Sequence, residues 1–283
     1  MHATPPPTAI TVAALHRYPI KSCAGTALAA AEIGPRGVLH DRDYVIVDAA
    51  TGEMLTQRSC PQMALIRPTV GADGLVLAAP GMPPLAVPPD RAGEERAIAI
   101  WRDPVRAVDQ GDAIATWLGA FLERPSRLLR MADDAIRPVN PANPASRDGD
   151  RFALADGYPL LLISEESLAG LNARLAEPVP MDRFRPNLVV AGAGAPHAED
   201  GWRRVRIGEV SFRLAGPCVR CQLPTIDQAT AARGKEPLTT LARYRRGLAG
   251  RERGVVFGQN AIHDGPGTIR VGDRVEVLAE GLA

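Results

Sequence analysis

Long apolar runs are missing from this 283-residue chain. No stretch approaches the roughly 18 apolar residues of a membrane span. The first residues, MHATPPPT, carry neither the basic nor the apolar region of a secretory signal. The expectation is a cytoplasmic protein with no membrane partner. An excess of one charge is missing too. Lys and Arg number 33 against 32 Asp and Glu, for a net charge of +1, so composition gives no sign of a nucleic-acid partner. Cysteine is scarce: four residues, scattered along a long chain, do not make a disulfide scaffold. Lysine is nearly missing. Lys21 and Lys235 are the only two among the 33 basic residues, and the rest are Arg. A lysine that persists against such a bias either marks a need for a compact, flexible point charge or survives by chance.

Familiar catalytic signatures are also absent. The sequence has no GxSxG and no HExxH. Its five histidines (His2, His16, His40, His197, His263) form no ligand-spaced pair and no triad.

What the chain has in quantity is punctuation, with 27 Gly and 26 Pro, while aromatics make up only 4%. Such a balance suits many short strands joined by tight turns. Short apolar or alternating runs occupy 14–20, 43–47, 54–57, 64–69, 75–77 and 97–101. Thr51-Gly52 and Asp73-Gly74 read as hairpin turns between them. The period then changes: Ala113, Ile114, Trp117, Leu118 and Phe121 recur at helical spacing. Residues 132–150 form a polar, Pro- and Asn-rich loop, long enough to be either functional or mobile. A helix is predicted over 165–175 with Ser164 as its N-cap, and another from Pro237 through Tyr244. Strand signals return at 187–190, in a hairpin about Gly208-Glu209, and in the alternation about a Gly272-Asp273 turn. The predicted fold class is mainly β with a few helices (α+β), in two β-rich halves resembling closed or partly closed barrels.

Cys218 and Cys221 stand three apart after a predicted strand. Structural zinc commonly needs two such pairs, and Cys23 and Cys60 do not supply the second. A thioredoxin-like pair belongs in a βαβ unit, and none surrounds this one. Two readings stay open: small apolar fillers beside a turn, or a single thiolate ligand to a soft, redox-active metal, favoured by the neighbouring Arg220. Lys21-Ser22 follows a strand and either holds a phosphate by charge and hydroxyl or is a solvated lysine beside a turn. The glycine spacing of a Walker loop is missing. Arg42, Arg58, Arg183 and Arg185 lie near strand ends. Singly each is a surface ion pair; converging, they would suit a dianionic phosphate. Gln259 and Asn260 read as turn residues with the alternative of contacting a heterocycle.

Taken together, these segments resemble one family. YPIKSCAG (18–25), DRDYVIVD (41–48) and TQRSCPQMALI (56–66) resemble the N-terminal β-barrel domain of MOSC proteins. RFRPNLVV (183–190), GPCVRCQLPTID (216–227), KEPLTTLARYR (235–245), FGQNAI (257–262) and PGTIRVGDRVEVL (266–278) resemble the MOSC domain, named after the molybdenum cofactor sulfurase C-terminal domain. By pattern the segments are similar to the mitochondrial amidoxime-reducing components and their bacterial counterparts. The resemblance implies a disordered N-terminus over 1–11, an N-terminal β-barrel domain over 12–115 and a MOSC domain over 116–283. It implies a pyranopterin molybdenum cofactor, with Cys221 as the metal ligand and catalytic centre. Lys21 and Ser22 would contact the cofactor's phosphate or pterin, and Arg42, Arg185, Arg58 and Asn260 would belong to the same binding set. The implied activity is reduction of N-hydroxylated compounds: amidoximes, hydroxylamines or N-hydroxylated bases. Some bacterial relatives carry a C-terminal iron–sulfur domain that is not expected here, so electrons would come from a separate flavin, haem or iron–sulfur protein; the membrane anchor of the eukaryotic members is not expected either. The alternative within the same fold is a carrier of molybdenum cofactor or sulfur without turnover. Tyr158 stands where eukaryotic relatives have a small polar residue, a difference that bears on pocket shape.

Overall fold

The computed structural model describes residues 9–89, 93–247 and 254–281. Strands dominate, with three α-helices, as the fold class predicts. The first half contains β1 (Thr11–Arg17), β2 (Thr26–Leu28), β3 (Ala30–Gly34), β4 (Gly37–Val38), β5 (Tyr44–Asp48), β6 (Arg67–Gly71), β7 (Gly74–Ala78), β8 (Leu85–Val87), β9 (Glu95–Ile100) and β10 (Asp103–Asp109). Helix α1 (Asp112–Leu122) leads into β11 (Ser126–Met131). The second half contains β12 (Leu160–Ser164), α2 (Glu165–Asn172), β13 (Leu188–Ala191), β14 (Trp202–Ile207), β15 (Val210–Val219), α3 (Leu238–Tyr244), β16 (Val256–His263), β17 (Gly267–Arg270) and β18 (Val275–Glu280).

The strands form a curled eight-stranded sheet ordered β18-β14-β15-β16-β12-β13-β1-β2, and a four-stranded sheet ordered β5-β11-β10-β9. Two three-stranded sheets are ordered β17-β3-β4 and β6-β7-β8. The expected halves follow chain order, but the sheets do not. β1 pairs antiparallel with β13, joining Thr11 to Ala191 and Leu15 to Leu188, and β3 pairs with β17. The first strands therefore share two sheets with strands of the second half, and their apolar faces share one core: Val12, Leu15, Ala31 and Ile33 pack with Leu188, Phe212 and Ile269. Of the N-terminal segment 1–11 expected to be disordered, residues 1–8 lie outside the described residues; Thr11 opens β1 and Ile10 packs on the core.

The turn expected about Gly272-Asp273 is present, with the Asp273 N–H donating to the Arg270 carbonyl at 3.1 Å, but the strands beside it do not pair with each other. β17 and β18 flank that turn, but β17 joins β3 and β18 joins β14. Alternation records which face a side chain takes, not which strand lies alongside. The run at 54–57 forms no strand and contributes one bridge, Val47 to Met54.

β5 shows how local pattern becomes layering. Its YVIVD run is buried at every position because both of its faces are covered. Tyr44 and Ile46 enter one cluster with Trp117 and Leu118 of α1, while Val45 and Val47 enter another with Ile98 and Leu129. Full burial of such an aliphatic side chain contributes roughly 1.5–3 kcal/mol. α2 begins where expected: Ser164 Oγ accepts from the Ser167 N–H at 3.1 Å, and Glu165 and Glu166 in its first turn favour the positive end of the helix. Arg213 ties down the loop 132–150 by bonding the Ala145 carbonyl and the Asp150 carboxylate.

Candidate functional site

Two irregularities in β15 shape the site. Its register against β16 slips between Leu214 and Gly216 and again between Pro217 and Val219, and Gly216 adopts φ 112°. Such bulges bend a strand and re-aim its side chains. Here they carry Cys218, Arg220 and Cys221 to the seam between the eight-stranded and four-stranded sheets. Asn260 on β16 lies opposite Gly216. Two residues earlier, Gly258 has φ 80°, and a Cβ there would stand 2.6 Å from Ile163 Cγ1, so no larger residue fits. From the other side, the segment after β1 bridges to β5 at Ile20 and Tyr44 and presents Lys21 and Ser22.

The seven residues that the resemblance assigns to the site, Lys21, Ser22, Arg42, Arg58, Arg185, Asn260 and Cys221, line one open cleft. Among the described residues, five cations line it (Lys21, Arg42, Arg58, Arg185 and Arg220) against a single carboxylate, Asp156. Arg183 does not join them; it pairs with Asp227 at 2.7 Å.

Lys21 is buried and donates to the Leu154 carbonyl at 2.7 Å and to Asp156 Oδ1 at 2.5 Å. Burial pushes its ammonium pKa down, partly offset by Asp156. Desolvation opposes ionisation of Asp156, but the Lys21 charge and hydrogen bond outweigh it and hold the carboxyl well below the usual range. Two guanidinium groups lie against the Tyr18 ring, Arg42 at 4.5 Å and Arg185 at 4.2 Å from its centroid. Its hydroxyl donates to the Pro186 carbonyl at 3.0 Å. Arg42 pairs with Asp41 and donates to Asn187 Oδ1 at 2.9 Å. Arg185 donates to the Cys23 carbonyl at 2.5 Å, and burial pushes its pKa down to about 10. Its Nη2, like Arg220 Nε, is buried without a hydrogen-bond partner. Ser22, Arg42, Trp101 and Arg185 are four of the eight non-glycine residues with positive φ among the described residues. Backbone strain of this kind gathers at ligand sites, where the surrounding structure holds it.

The two cysteines differ. Cys221 is exposed; Cys218 is half-buried, packs on the Phe184–Phe257 cluster and accepts from Arg220 Nη1 at 3.1 Å. Arg220 thus bonds the thiol two residues before it rather than Cys221, because its other arm is fixed on the Phe184 carbonyl at 2.9 Å. Burial raises the Cys218 pKa despite Arg220. No group of three or more His, Cys, Asp or Glu able to hold a metal ion occurs among the described residues.

Sequence reasoning missed Trp101 and the ion pair of Lys21 with Asp156. Trp101 comes from the β9–β10 turn, and its Nε1 donates to Asp156 Oδ1 at 2.9 Å. The one available signal was the rarity of tryptophan, three in the chain.

The sequence has relatives among known proteins. Residues 9–125 match the MOSC N-terminal beta barrel domain and residues 149–276 match the MOSC domain. The chain belongs to the MOSC family, in the branch that joins these two domains. It is similar to human mitochondrial amidoxime-reducing component 1, with 36% identity over 95% of this chain and 83% of the relative. Bovine mitochondrial amidoxime reducing component 2 is 36% identical over 83% of this chain and 72% of its own. Molybdenum cofactor sulfurase 1 of Aedes aegypti is 34% identical over 81% of this chain, which spans only 32% of that longer protein. These relationships make the chain a MOSC protein associated with molybdenum cofactor. No helix among the described residues is long and apolar enough to cross a membrane.

Proposed function

We propose that this protein is a molybdenum cofactor-dependent reductase of N-hydroxylated compounds, such as amidoximes, hydroxylamines or N-hydroxylated bases. The observation that carries the reading is the cleft: a free, exposed thiol among five cations opposed by one carboxylate. The buried, unpartnered Arg185 Nη2 and Arg220 Nε fit a ligand that brings anionic oxygens and carries its own metal ligands. When bound, the cofactor supplies a centre able to take up and release two electrons.

The chain's own residues divide the remaining work. Cys221 is the protein ligand to the metal. Lys21, Arg42 and Arg185 hold the phosphate by charge, with the Ser22 hydroxyl beside them. Asn260 hydrogen-bonds the heterocycle, and Arg58 closes the mouth. The reaction consumes two electrons and two protons, replaces N–OH by N–H and releases water, with electrons from a separate flavin, haem or iron–sulfur protein. The surrounding positive charge keeps the phosphate-binding region favourable to anions, while the exposed side at Cys221 leaves access for substrate.

The cytoplasmic location belongs to the proposal. The amidoxime-reducing relatives named above are mitochondrial, and cell fractionation decides the compartment. Similarity to molybdenum cofactor sulfurases supports a second reading, in which the same cleft carries the cofactor or sulfur without turnover. Protein made in a cofactor-competent host, given a reduced electron carrier and benzamidoxime, separates them. Product formation together with bound molybdenum supports the reductase; bound molybdenum without product under any donor supports the carrier; absence of molybdenum sinks both.

A further inference from the structure

Trp101 stands at the mouth of the cleft in a conformation its residue type disfavours. β9 and β10 are joined by only two residues, Trp101 and Arg102, because Ile100 pairs with Asp103. Two-residue hairpins demand positive φ and normally use Asn, Asp or Gly there. Trp101 has φ 58°. A bulky side chain held in that region points to a use for its position.

The ring is also fixed. Its Nε1 donates to Asp156 Oδ1 at 2.9 Å, and that oxygen is itself anchored by Lys21. The Arg58 guanidinium lies 4.3 Å from the ring centroid. Yet Trp101 remains 46% exposed, whereas Trp117 and Trp202 are buried. An aromatic surface that is already immobilised loses little freedom when a second planar group stacks on it. Trp101 lines the same cleft as Cys221.

We propose that Trp101 is a stacking platform that selects planar, conjugated N-hydroxylated substrates, aryl amidoximes and N-hydroxylated nucleobases, over aliphatic ones. The reaction rests on the reductase reading given above; the binding contact does not. Stacking of one planar group on an aromatic side chain is worth about tenfold in affinity.

The test uses the full chain loaded with cofactor and, first, without an electron donor, so that nothing turns over. Benzamidoxime is expected to quench the exposed indole's emission saturably, and acetamidoxime to require about tenfold more. Loss of that quenching in W101F assigns the signal. With a donor present, the ratio of kcat/KM for benzamidoxime to that for acetamidoxime is expected to fall about tenfold in W101A. The ratio is kept in W101F, which retains a ring but not the bond to Asp156. An unchanged ratio in W101A, or equal quenching by the two compounds, overturns the proposal. So does loss of molybdenum from W101A with the ratio intact, which would assign the ring to the cofactor. Selective quenching without reduction of any N-hydroxylated compound sustains the platform and defeats the reductase.

Discussion

Two arginine-rich regions of this molecule use the same side chain in opposite ways. On β15, Arg213 makes two bonds of 2.8 Å to Asp150 and one of 2.6 Å to Asp264. Arg147 and Arg204 also reach Asp264. The hydrogen bond to Asp150 is the main reason the Arg213 pKa is raised. In the cleft, Arg185 contacts a carbonyl and the face of a tyrosine, leaves one nitrogen without a partner, and is pushed down to about 10 by burial. Arg42 is the intermediate case, paired with Asp41 but stacked on the same ring. The difference teaches how to read arginine in a chain so rich in it. A guanidinium cancelled by carboxylates holds the fold, while a buried one left uncancelled costs stability and remains available to an anion.

The largest expected effect tests whether the uncancelled region is the working one. Cys221→Ser should take molybdenum content and reduction of N-hydroxylated compounds to background. Metal analysis and turnover with a reduced carrier measure it, and a partly reduced sample should show an electron paramagnetic resonance signal of the metal that this variant alters. A variant with full metal and full turnover would remove the thiolate from the proposal.

Next comes the contrast itself. Arg213→Ala leaves the nearly buried Asp150 carboxylate with only the Arg147 N–H, which should cost on the order of 3 kcal/mol, read as a lower denaturant midpoint. Arg185→Met removes a buried charge that no carboxylate contacts. The cofactor-free protein should lose no stability, while molybdenum content falls by about tenfold. Equal destabilisation by the two variants breaks the comparison. Acid sharpens it. Burial opposes ionisation of Asp150, but Arg213 prevails and lowers its pKa. Its stabilisation is therefore complete above the ordinary carboxylate value of about 3.9 and lost as pH falls through the lower folded value. Arg213→Ala should flatten that acid limb.

A smaller pH effect belongs to His197. Burial, then the Arg245 charge, push its pKa down to about 4. Between roughly pH 6.5 and 4 the unfolded chain holds a proton that the folded chain does not, so stability falls as pH drops through that window. His197→Phe keeps a ring against Tyr244 and Phe257 and should remove the slope. Denaturant midpoints at pH 7 and pH 5 measure it.

Much of this was legible in local pattern, and the limits have a physical cause. Ser164 and the two glutamates after it announce α2 because a cap acts within one turn. The run 43–47 announces β5, one residue early, because Tyr44 to Val47 put apolar side chains on both faces. Partner choice is not local. Nothing near Thr11 says that it pairs with Ala191, and nothing near Gly272 says that the flanking strands part. The site divides in the same way. Ordered motifs nominated seven residues that line one cleft, whereas Trp101 reached it through a hairpin turn and a hydrogen bond to Asp156, 55 residues away in the chain. A strained turn residue carries no periodicity by which to be found.

The smallest expected effect separates the two neighbouring cysteines. Cys218 has a half-buried thiol that packs against the Phe184 cluster and accepts from Arg220. Replacing it with Ala removes one atom from that packing and one partner from a guanidinium still held by the Phe184 carbonyl. Cys218→Ala should therefore cost about 1 kcal/mol of stability, keep most of the molybdenum and lower turnover only by the amount that Arg220 loosens. Cys221→Ser removes the exposed thiol, whose place at the end of the bulged strand is the reason it can reach a ligand. If Cys218→Ala loses metal as completely as Cys221→Ser, the two thiols act as a unit. The division between packing residue and ligand then fails, although both thiols follow the same two irregularities in β15.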